Sequence, residues 1–448
     1  MLVQSSNTHL FVTLCLMFFG FFTVGEAMGV STSVLLRKRT MKDMGSEHKD
    51  GGHGHGNGHD QAYTMTQFDL RGLRHKRRAG TKVIHKMAYF GTVQIGNPKR
   101  SFEVVFDSGS GNLLVPGTDC AAEACVGRSM YSHESVTGRH ITCGSKNGSL
   151  EEDNVTISFG TGKVWGKCVQ DEICLGTVCY DGGFIASTDE SSTPFGFFHF
   201  DGVMGLGRAE LSRGAQFNVM EMLKSTGRLQ QTVFAVFLSS SDAEVSEVTF
   251  GSVKTSHMAS DLHWVPVSRK TGFWEVQIDD ITIDDHPQNL CVNCFVAVDT
   301  GTSELAGPSP IIQSLSMTLN VEYDCSNFHT LPRLGFLVKG QILNLEPELY
   351  VDRASDYCEV SLMPLDVPPP NGPLFIFGIP FLEKFYTVYD NVNSQVGFAV
   401  AKHAEDGAAR MPPGMIMSQL NASVSKSSSS REGARRRENN RATGFLRK

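Results

Sequence analysis

The chain has 448 residues, more than one compact core usually holds, so we expect two lobes with an extension at each end. Its net charge of −7 is uneven, with +4 over residues 1–80, −16 over 81–403 and +5 over 404–448. An acidic body repels phosphates, which excludes nucleic acid as an expected partner. With 40% apolar residues and 45 glycines, the composition is that of a globular, turn-rich protein rather than a disordered one.

The first predicted element is a signal peptide at residues 1–27. Residues 10–24 form an uncharged apolar run that is shorter than the roughly 20 residues a membrane span needs, and small residues follow it. Because no Lys or Arg precedes the run, an uncleaved signal anchor is the alternative. We expect entry into the secretory pathway without stable membrane insertion. The destination would be secretion or an acidic compartment of the vacuole or lysosome kind.

Residues 28–80 are polar and basic, and we predict that they form the pro-segment of a zymogen. Its His- and Gly-rich run at 51–59 has a composition that can bind a metal but is more typical of a flexible linker, so no metal site is expected. The cluster Arg74-His-Lys-Arg-Arg78 suits cleavage by a processing protease specific for basic residues. A solvated run of charges would look the same.

From Tyr89 to about Val400, short apolar stretches broken by Gly and Asn predict many strands. Helices are few: residues 216–225 are one candidate, and another begins at Ser309 with Pro310 in its first turn. The predicted class is mainly β, with an N-terminal lobe at 81–253 and a C-terminal lobe at 254–403. The Ser- and Arg-rich residues 404–448 are expected to be a disordered basic tail.

One short pattern occurs twice in the chain. The first copy is Val104-Val-Phe-Asp-Ser-Gly-Ser110 and the second is Val296-Ala-Val-Asp-Thr-Gly-Thr302. Each copy has a later partner, Val203-Met-Gly205 and Ile376-Phe-Gly378, in which an apolar pair precedes Gly. A single Asp-Thr-Gly is weak evidence, but two copies in matching apolar settings predict two similar lobes that each offer one carboxylate.

The two carboxylates, Asp107 and Asp299, are the predicted catalytic pair. Hydrolysis of a peptide bond by water needs a base that activates the water and an acid that protonates the carbonyl. Two carboxyl groups within hydrogen-bond distance share one proton, so one can act as base and the other as acid. Ser110 and Thr302 are expected to donate to the outer carboxylate oxygens. The residues predicted to support the pair are Ser108, Gly109, Ser110, Thr300, Gly301 and Thr302.

The ordered blocks of residues 89–401 resemble the pepsin-like aspartic proteases. They are Tyr89-Phe-Gly-Thr-Val-Gln-Ile-Gly96, Phe106-Asp-Ser-Gly-Ser-Gly-Asn-Leu-Leu-Val-Pro116, Phe200-Asp-Gly-Val-Met-Gly-Leu206, Trp264-Val-Pro-Val267, Ala297-Val-Asp-Thr-Gly-Thr-Ser303 and Tyr386-Thr-Val-Tyr-Asp390. The resemblance implies a bilobal β fold with a central cleft under a hairpin flap. It further implies polypeptide substrates and neither a metal nor an organic cofactor. We expect a monomer.

The resemblance also assigns the flap and the main substrate pocket. The flap tip matches Phe159, Gly160 and Thr161, and the pocket matches Val105, Phe200 and Val203 together with Phe159. Because these pocket residues are apolar, we expect cleavage next to large hydrophobic residues. The chain departs from the family pattern at Phe159, Leu114 and Ile379, where relatives usually carry Tyr, Trp and Asp. The missing Asp removes one acidic group near the predicted pair.

Ten cysteines follow the signal run, an even number that suits disulfides in a secreted chain. The family spacings imply the pairs Cys120–Cys125 and Cys325–Cys358. The resemblance also implies Cys291–Cys294, although its two cysteines are one residue closer together than is usual in the family. The other four cysteines can pair in three ways, of which we favour Cys143–Cys168 with Cys174–Cys179. Motifs for N-glycosylation occur at Asn147, Asn154 and Asn421.

The main alternative function is a catalytically silent pepsin-fold protein that binds peptides without cutting them. Loss of an Asp, or of the Gly in the same motif, would indicate such a protein. Both motifs are intact, so the sequence favours an aspartic endopeptidase.

Overall fold

The structure of the protein is a computed structural model that describes residues 29–44, 83–144, 154–159, 162–196, 200–241, 243–292, 294–353 and 357–404. Several predicted features lie outside these residues: the signal peptide, the run at 51–59, the cluster at 74–78, Asn147, Asn421 and the tail beyond 404. Within the described part of the chain, no helix combines the length and apolar character needed to cross a membrane.

Strands dominate the described residues. In chain order they are β1 Thr32–Met44, β2 Val83–Ile95, β3 Arg100–Asp107, β4 Leu113–Pro116, β5 Arg139–His140, β6 Asn154–Phe159, β7 Gly162–Leu175, β8 Val178–Glu190, β9 Gly202–Gly205, β10 Val233–Phe237, β11 Ser246–Phe250, β12 His263–Pro266, β13 Glu275–Ile278, β14 Asp280–Ile283, β15 His286–Pro287, β16 Cys294–Val298, β17 Leu305–Gly307, β18 Leu334–Val338, β19 Gln341–Leu345, β20 Val351–Arg353, β21 Cys358–Val360, β22 Leu362–Pro364, β23 Leu374–Phe377, β24 Phe385–Asp390 and β25 Gln395–Val400. The α-helices are α1 Ser192–Phe195, α2 Val219–Ser225, α3 Ser309–Leu319, α4 Pro347–Tyr350 and α5 Ile379–Lys384.

One sheet of 14 strands connects the two halves of the molecule, in the order β12-β25-β24-β10-β11-β1-β2-β3-β9-β4-β8-β7-β5, with β6 paired to β7. The C-terminal half adds a five-stranded sheet, β13-β16-β23-β17-β22, and a four-stranded sheet, β15-β14-β18-β19. Strands β20 and β21 form a separate pair. The prediction of a mainly β, bilobal fold is confirmed.

The internal repeat of the sequence is a repeat of strand pairing. In the first half, β3 pairs antiparallel with β2 and parallel with β9, which pairs antiparallel with β4. In the second half, β16 pairs antiparallel with β13 and parallel with β23, which pairs antiparallel with β17. Each half therefore delivers its Asp from the end of a strand that is buried between two neighbours.

Each half also contains a small apolar cluster beside the dyad strands. The N-lobe cluster includes Val105, Leu114 and Val203, and the C-lobe cluster includes Ala297, Ala306 and Ile376 at the equivalent positions of the repeat. The equivalence is visible in the register, because Leu114 pairs with Val203 as Ala306 pairs with Ile376. A larger core, separate from both clusters, contains the alternate residues of the same strands, such as Val104 and Val296, together with residues of many other strands.

Strand β1 was not predicted, and it comes from the segment assigned to the pro-segment. It lies in the middle of the 14-stranded sheet, where Thr32 to Leu36 pair with β11 and the following residues pair with β2. Val34 and Leu36 are each only 5% exposed because they pack into the large core. The polar, basic composition of residues 28–80 concealed this short apolar alternation.

The two predicted helices are present with different bounds. The region at 216–225 begins as a 3₁₀ turn, Ala215–Phe217, and α2 starts only at Val219. The reason is Asn218, whose side chain accepts a hydrogen bond from the N–H of Glu221 and so caps α2. The helix predicted to begin at Ser309 does begin there and ends at Leu319.

Five disulfides link the described cysteines. They are Cys120–Cys125, Cys143–Cys168, Cys174–Cys179, Cys291–Cys294 and Cys325–Cys358. These pairs coincide with the three that the family resemblance implies and with the favoured pairing of the other four cysteines. Two of them, Cys143–Cys168 and Cys174–Cys179, involve β7, the strand that follows the predicted flap tip.

Candidate active site

Asp107 and Asp299 meet where the two halves of the repeat face each other. Asp107 ends β3 and Asp299 follows β16, and the two residues are 0% and 1% exposed. The turns approach so closely that a Cβ placed on Gly109 would lie 2.8 Å from Oδ2 of Asp299. A Cβ placed on Gly301 would lie still closer to Oδ1 of Asp107. Glycine is therefore needed in both turns because a side chain would push the opposite carboxyl away.

Backbone donors hold each carboxyl group in its turn. The N–H of Gly109 donates to Oδ1 of Asp107 at 2.9 Å, and the N–H of Gly301 donates to Oδ1 of Asp299 at 2.9 Å. The hydroxyl of Thr302 donates to Oδ2 of Asp299 at 2.6 Å. These donors orient the carboxyl groups and stabilise negative charge on them.

Ser110 differs from the prediction. Its hydroxyl was expected to donate to Asp107 as Thr302 donates to Asp299, but Ser110 Oγ is buried without a hydrogen-bond partner among the described residues. Serine lacks the β-methyl group that restricts χ1 of threonine, so packing does not direct its hydroxyl toward the carboxyl group. The two halves of the dyad are thus supported unequally.

Ser108 and Thr300 join the two turns directly. The N–H of Ser108 donates to Thr300 Oγ1 at 2.9 Å, and the N–H of Thr300 donates to Ser108 Oγ at 3.0 Å. Each hydroxyl in turn donates to a backbone carbonyl of the other half, Ser108 to Val298 at 2.9 Å and Thr300 to Phe106 at 2.6 Å. This reciprocal network fixes the spacing of the two carboxyl groups across the boundary between the lobes.

Burial and mutual repulsion change the protonation of the pair. Desolvation, above all, and the neighbouring Asp107 raise the pKa of Asp299 well above its ordinary value, although hydrogen bonds from Thr302 and Gly301 oppose this. The pair therefore retains a proton at a pH where isolated carboxyl groups have lost theirs. A pair that shares one proton offers one acid and one base side by side, which is the combination that hydrolysis of an amide by water requires.

An aromatic group beneath the dyad was not identified from the sequence. Tyr389 stacks on Phe234 with ring centroids 4.3 Å apart, and Trp274 contacts both rings edge-on. The Trp274 indole donates to the carbonyl of Leu206 at 2.9 Å, directly after the strand that pairs with the Asp107 strand. The aromatic residues of β24, a strand that is buried along its whole length, were the available signal, but they do not reveal which elements meet there.

The predicted pocket residues lie together. Val105, Phe200 and Val203 are 2–4% exposed and belong to the N-lobe cluster, which also contains Ile157 of the strand β6. Phe159 ends β6, where its backbone pairs with Gly162 at the start of β7. Gly160 and Thr161, the other predicted flap residues, lie outside the described residues.

Two departures from the family pattern are accommodated by apolar packing. Leu114 is 2% exposed and packs in the N-lobe cluster opposite Val203. Ile379 is 1% exposed at the start of α5, and its N–H donates to the carbonyl of Thr302 at 2.9 Å. The backbone beside the dyad is therefore held in place at Ile379 without an acidic side chain there.

Comparison with known proteins agrees with this geometry. Residues 88–401 match the family described as eukaryotic aspartyl protease. Cathepsin E of Rattus norvegicus is 34% identical over 329 residues, which cover 70% of this chain and 80% of the relative. Plasmepsin VI of Plasmodium berghei (strain Anka) is 32% identical over 348 residues, 71% of this chain and 76% of the relative. Pepsin A of Bos taurus is 29% identical over 349 residues, with coverages of 72% and 91%. The chain therefore belongs to the eukaryotic aspartyl protease family and is a pepsin-like aspartic endopeptidase.

Proposed function

We propose that Asp107 and Asp299 cleave peptide bonds through a shared proton. The ionised carboxyl group takes a proton from a water molecule, whose oxygen attacks the carbonyl carbon of the substrate. The protonated carboxyl group gives its proton to the carbonyl oxygen, which produces a neutral tetrahedral diol. One carboxyl group then protonates the nitrogen of the diol, while the other takes a proton from a diol hydroxyl. The C–N bond breaks, and the pair returns to its starting protonation state. Ser108 and Thr300 maintain the geometry throughout. The main observation in support of this proposal is that one carboxyl group from each half of the repeat is buried against the other.

A pair of substitutions tests this mechanism. We expect Asp107→Asn and Asp299→Asn each to lower kcat by about 10²–10⁴-fold or more, because an amide can neither hold the shared proton nor accept one from water. Cleavage of a denatured globular protein measures the loss, and circular dichroism checks the fold. Asp285→Asn, which changes an exposed side chain of the C-terminal lobe, is the matched control. Near-normal turnover in a dyad variant would contradict the mechanism. If the wild-type protein binds peptides stably but does not cleave them, the result would favour the silent peptide-binding alternative.

We propose that the preferred bonds lie next to large hydrophobic residues such as Phe or Leu. Support comes from the N-lobe cluster, where Val105, Phe200 and Val203 present apolar surface and no charge. A peptide library with all residues represented on both sides of the scissile bond measures the preference. A profile dominated by Lys, Arg or Asp would contradict this assignment.

We also propose that the protein is made as a secreted zymogen with the domain limits predicted above. The basic pro-segment would be attracted to the acidic body, and protonation of carboxylates would weaken this attraction. Incubation of the purified proenzyme at about pH 4, within the carboxylate titration range, tests self-processing. Processing that pepstatin blocks supports activation by acid. Processing only after addition of a protease specific for basic residues would contradict it.

A further inference from the structure

The two clusters beside the dyad differ at one equivalent position. On the strand next to the Asp107 strand, the residue that pairs with Val105 is Phe90. On the strand next to the Asp299 strand, the residue that pairs with Ala297 is Glu275. A carboxylate that is 0% exposed therefore occupies the place of an aromatic ring. A buried charge needs a close partner of opposite sign.

That partner is Arg269. Its Nε lies 2.5 Å from Oε2 of Glu275, and the hydroxyl of Thr271 donates to the other carboxylate oxygen at 2.6 Å. The guanidinium carbon of Arg269 also lies 4.2 Å from the ring centre of Phe295, on the Asp299 strand. The Arg269 side chain is only 20% exposed, so the ion pair forms largely out of water.

The remaining arms of Arg269 bind a proline-rich loop, residues 366–373. Its Nη1 donates to the carbonyl of Pro370 at 3.2 Å, and its Nη2 donates to the carbonyl of Asn371 at 2.8 Å. Proline lacks an N–H group, so this loop has few backbone donors with which to bond to a sheet. The guanidinium group of an arginine from another segment is a rigid fork of donors and can instead bind two successive carbonyls.

The same loop borders the C-lobe cluster. Val367 packs against that cluster, and the loop begins at Asp366, which accepts a 2.6 Å hydrogen bond from the hydroxyl of Ser309. Ala297 lies two residues before Asp299, and alternate residues of a strand share a face, so the cluster lies on the same side of the sheet as the catalytic carboxyl. By the symmetry of the repeat, it occupies the position that the main pocket has in the other half.

We propose that Arg269 is a positioning residue that sets specificity on the far side of the scissile bond. By holding the loop at 366–373 against the C-lobe cluster, it shapes a second, apolar binding surface opposite the pocket of Val105 and Val203. Glu275 fixes the guanidinium and so acts through Arg269. Substrates with apolar side chains on that side of the bond are selected. The inference rests on the proposed cleavage by the dyad.

Peptide-library profiling of three purified variants tests the inference. Arg269→Lys keeps a charge opposite Glu275 but cannot bind both loop carbonyls at once. The double variant Arg269→Met, Glu275→Leu removes the ion pair without leaving a buried charge unpaired, so we expect this variant to keep the fold. Arg333→Met, which removes an exposed ion pair with Asp285 in the same lobe, is the control.

In both Arg269 variants we expect selectivity on the C-lobe side of the bond to fall about tenfold, with the preference at the main pocket unchanged. The change should appear mainly in KM, because the dyad is intact. Unchanged profiles on both sides, or equal losses on both sides, would overturn the inference. A wild-type protein that cleaves nothing would instead refute the proposed function, and the inference with it.

Discussion

At the scale of single residues, the dyad combines a symmetric backbone with asymmetric side-chain support. Gly109 and Gly301 donate to their carboxyl groups at the same distance, 2.9 Å. Thr302 adds a hydroxyl donor to Asp299, whereas Ser110 has no hydrogen-bond partner among the described residues. The contribution of these two equivalent positions to catalysis should therefore differ.

We expect Thr302→Val to lower kcat about tenfold and to move the basic limb of the pH–rate profile to higher pH. The Thr302 hydroxyl stabilises the ionised carboxylate and lowers the pKa of Asp299 against the upward effect of burial. Without it the pKa rises further, so the pair gives up its retained proton only at higher pH. Profiles of kcat/KM against pH measure the shift.

Ser110→Ala is the matched control for this prediction. It removes a hydroxyl at the equivalent position of the repeat, and we expect kcat to stay within about twofold and the basic limb to stay in place. A shift as large as that of Thr302→Val would show that Ser110 supports the carboxyl group in the working enzyme.

The buried pair of carboxyl groups could be predicted from the sequence because it depends on a local motif that occurs twice. Asp107 and Asp299 each follow an apolar strand and precede a glycine, and this pattern alone fixes the type of turn. Arg269 carries no such local signal, since its partners Glu275 and Asn371 meet it only after the chain has folded. Interactions between distant segments, and the orientation of a hydroxyl such as that of Ser110, are set by packing.

At the scale of elements, β1 is held by a buried ion pair as well as by its neighbours in the sheet. The ammonium group of Lys38 lies 3.0 Å from Oε1 of Glu383, which also accepts a 2.5 Å hydrogen bond from the Tyr89 hydroxyl. Glu383 is 6% exposed and belongs to α5, the helix that follows the second half of the repeat. Strand β1 is thereby attached to an element beside the Asp299 turn.

We expect Lys38→Met to speed hydrogen exchange of the β1 amides in the proenzyme by about 10–100-fold, because it leaves the Glu383 carboxylate buried without a cation. Exchange followed by mass spectrometry measures the effect. Arg37→Met is the control, since the Arg37 side chain is 60% exposed and its ion pair with Glu103 is worth little. Equal exchange rates in the two variants would contradict the role of Glu383.

At the scale of the whole molecule, one acidic residue beside β1 is arranged to stay ionised in acid. Glu247 receives hydrogen bonds from His257 at 2.6 Å and Lys254 at 2.7 Å. Burial alone would raise the pKa of Glu247, but these two partners outweigh it and lower the pKa to about 2. A carboxyl group with a depressed pKa in the folded state stabilises the fold above its unfolded pKa, near 4.3, and this contribution disappears as the pH falls toward 2.

We expect Glu247→Gln to lower the Tm by about 2–6 °C at pH 6, with the difference from wild type shrinking between about pH 4.3 and pH 2. Thermal unfolding of the proenzyme across this range measures it. Glu123→Gln, at an exposed position, is the control and should leave the Tm unchanged at every pH. A difference that grows as the pH falls would contradict the assigned direction.

The position of β1 has a consequence for the lifetime of the enzyme. Ser33 in β1 contacts Thr249 in β11 across 216 residues of chain, a contact of high sequence separation that forms slowly because loop closure costs entropy before pairing stabilises it. In the intact proenzyme the connection to β2 keeps this pairing intramolecular. After the proposed cut near Arg78, the same pairing would require the encounter of two separate chains. A processed enzyme that retains β1 after the cut should thus depend on slow unfolding for its persistence, and its heat inactivation should be reversible only before processing.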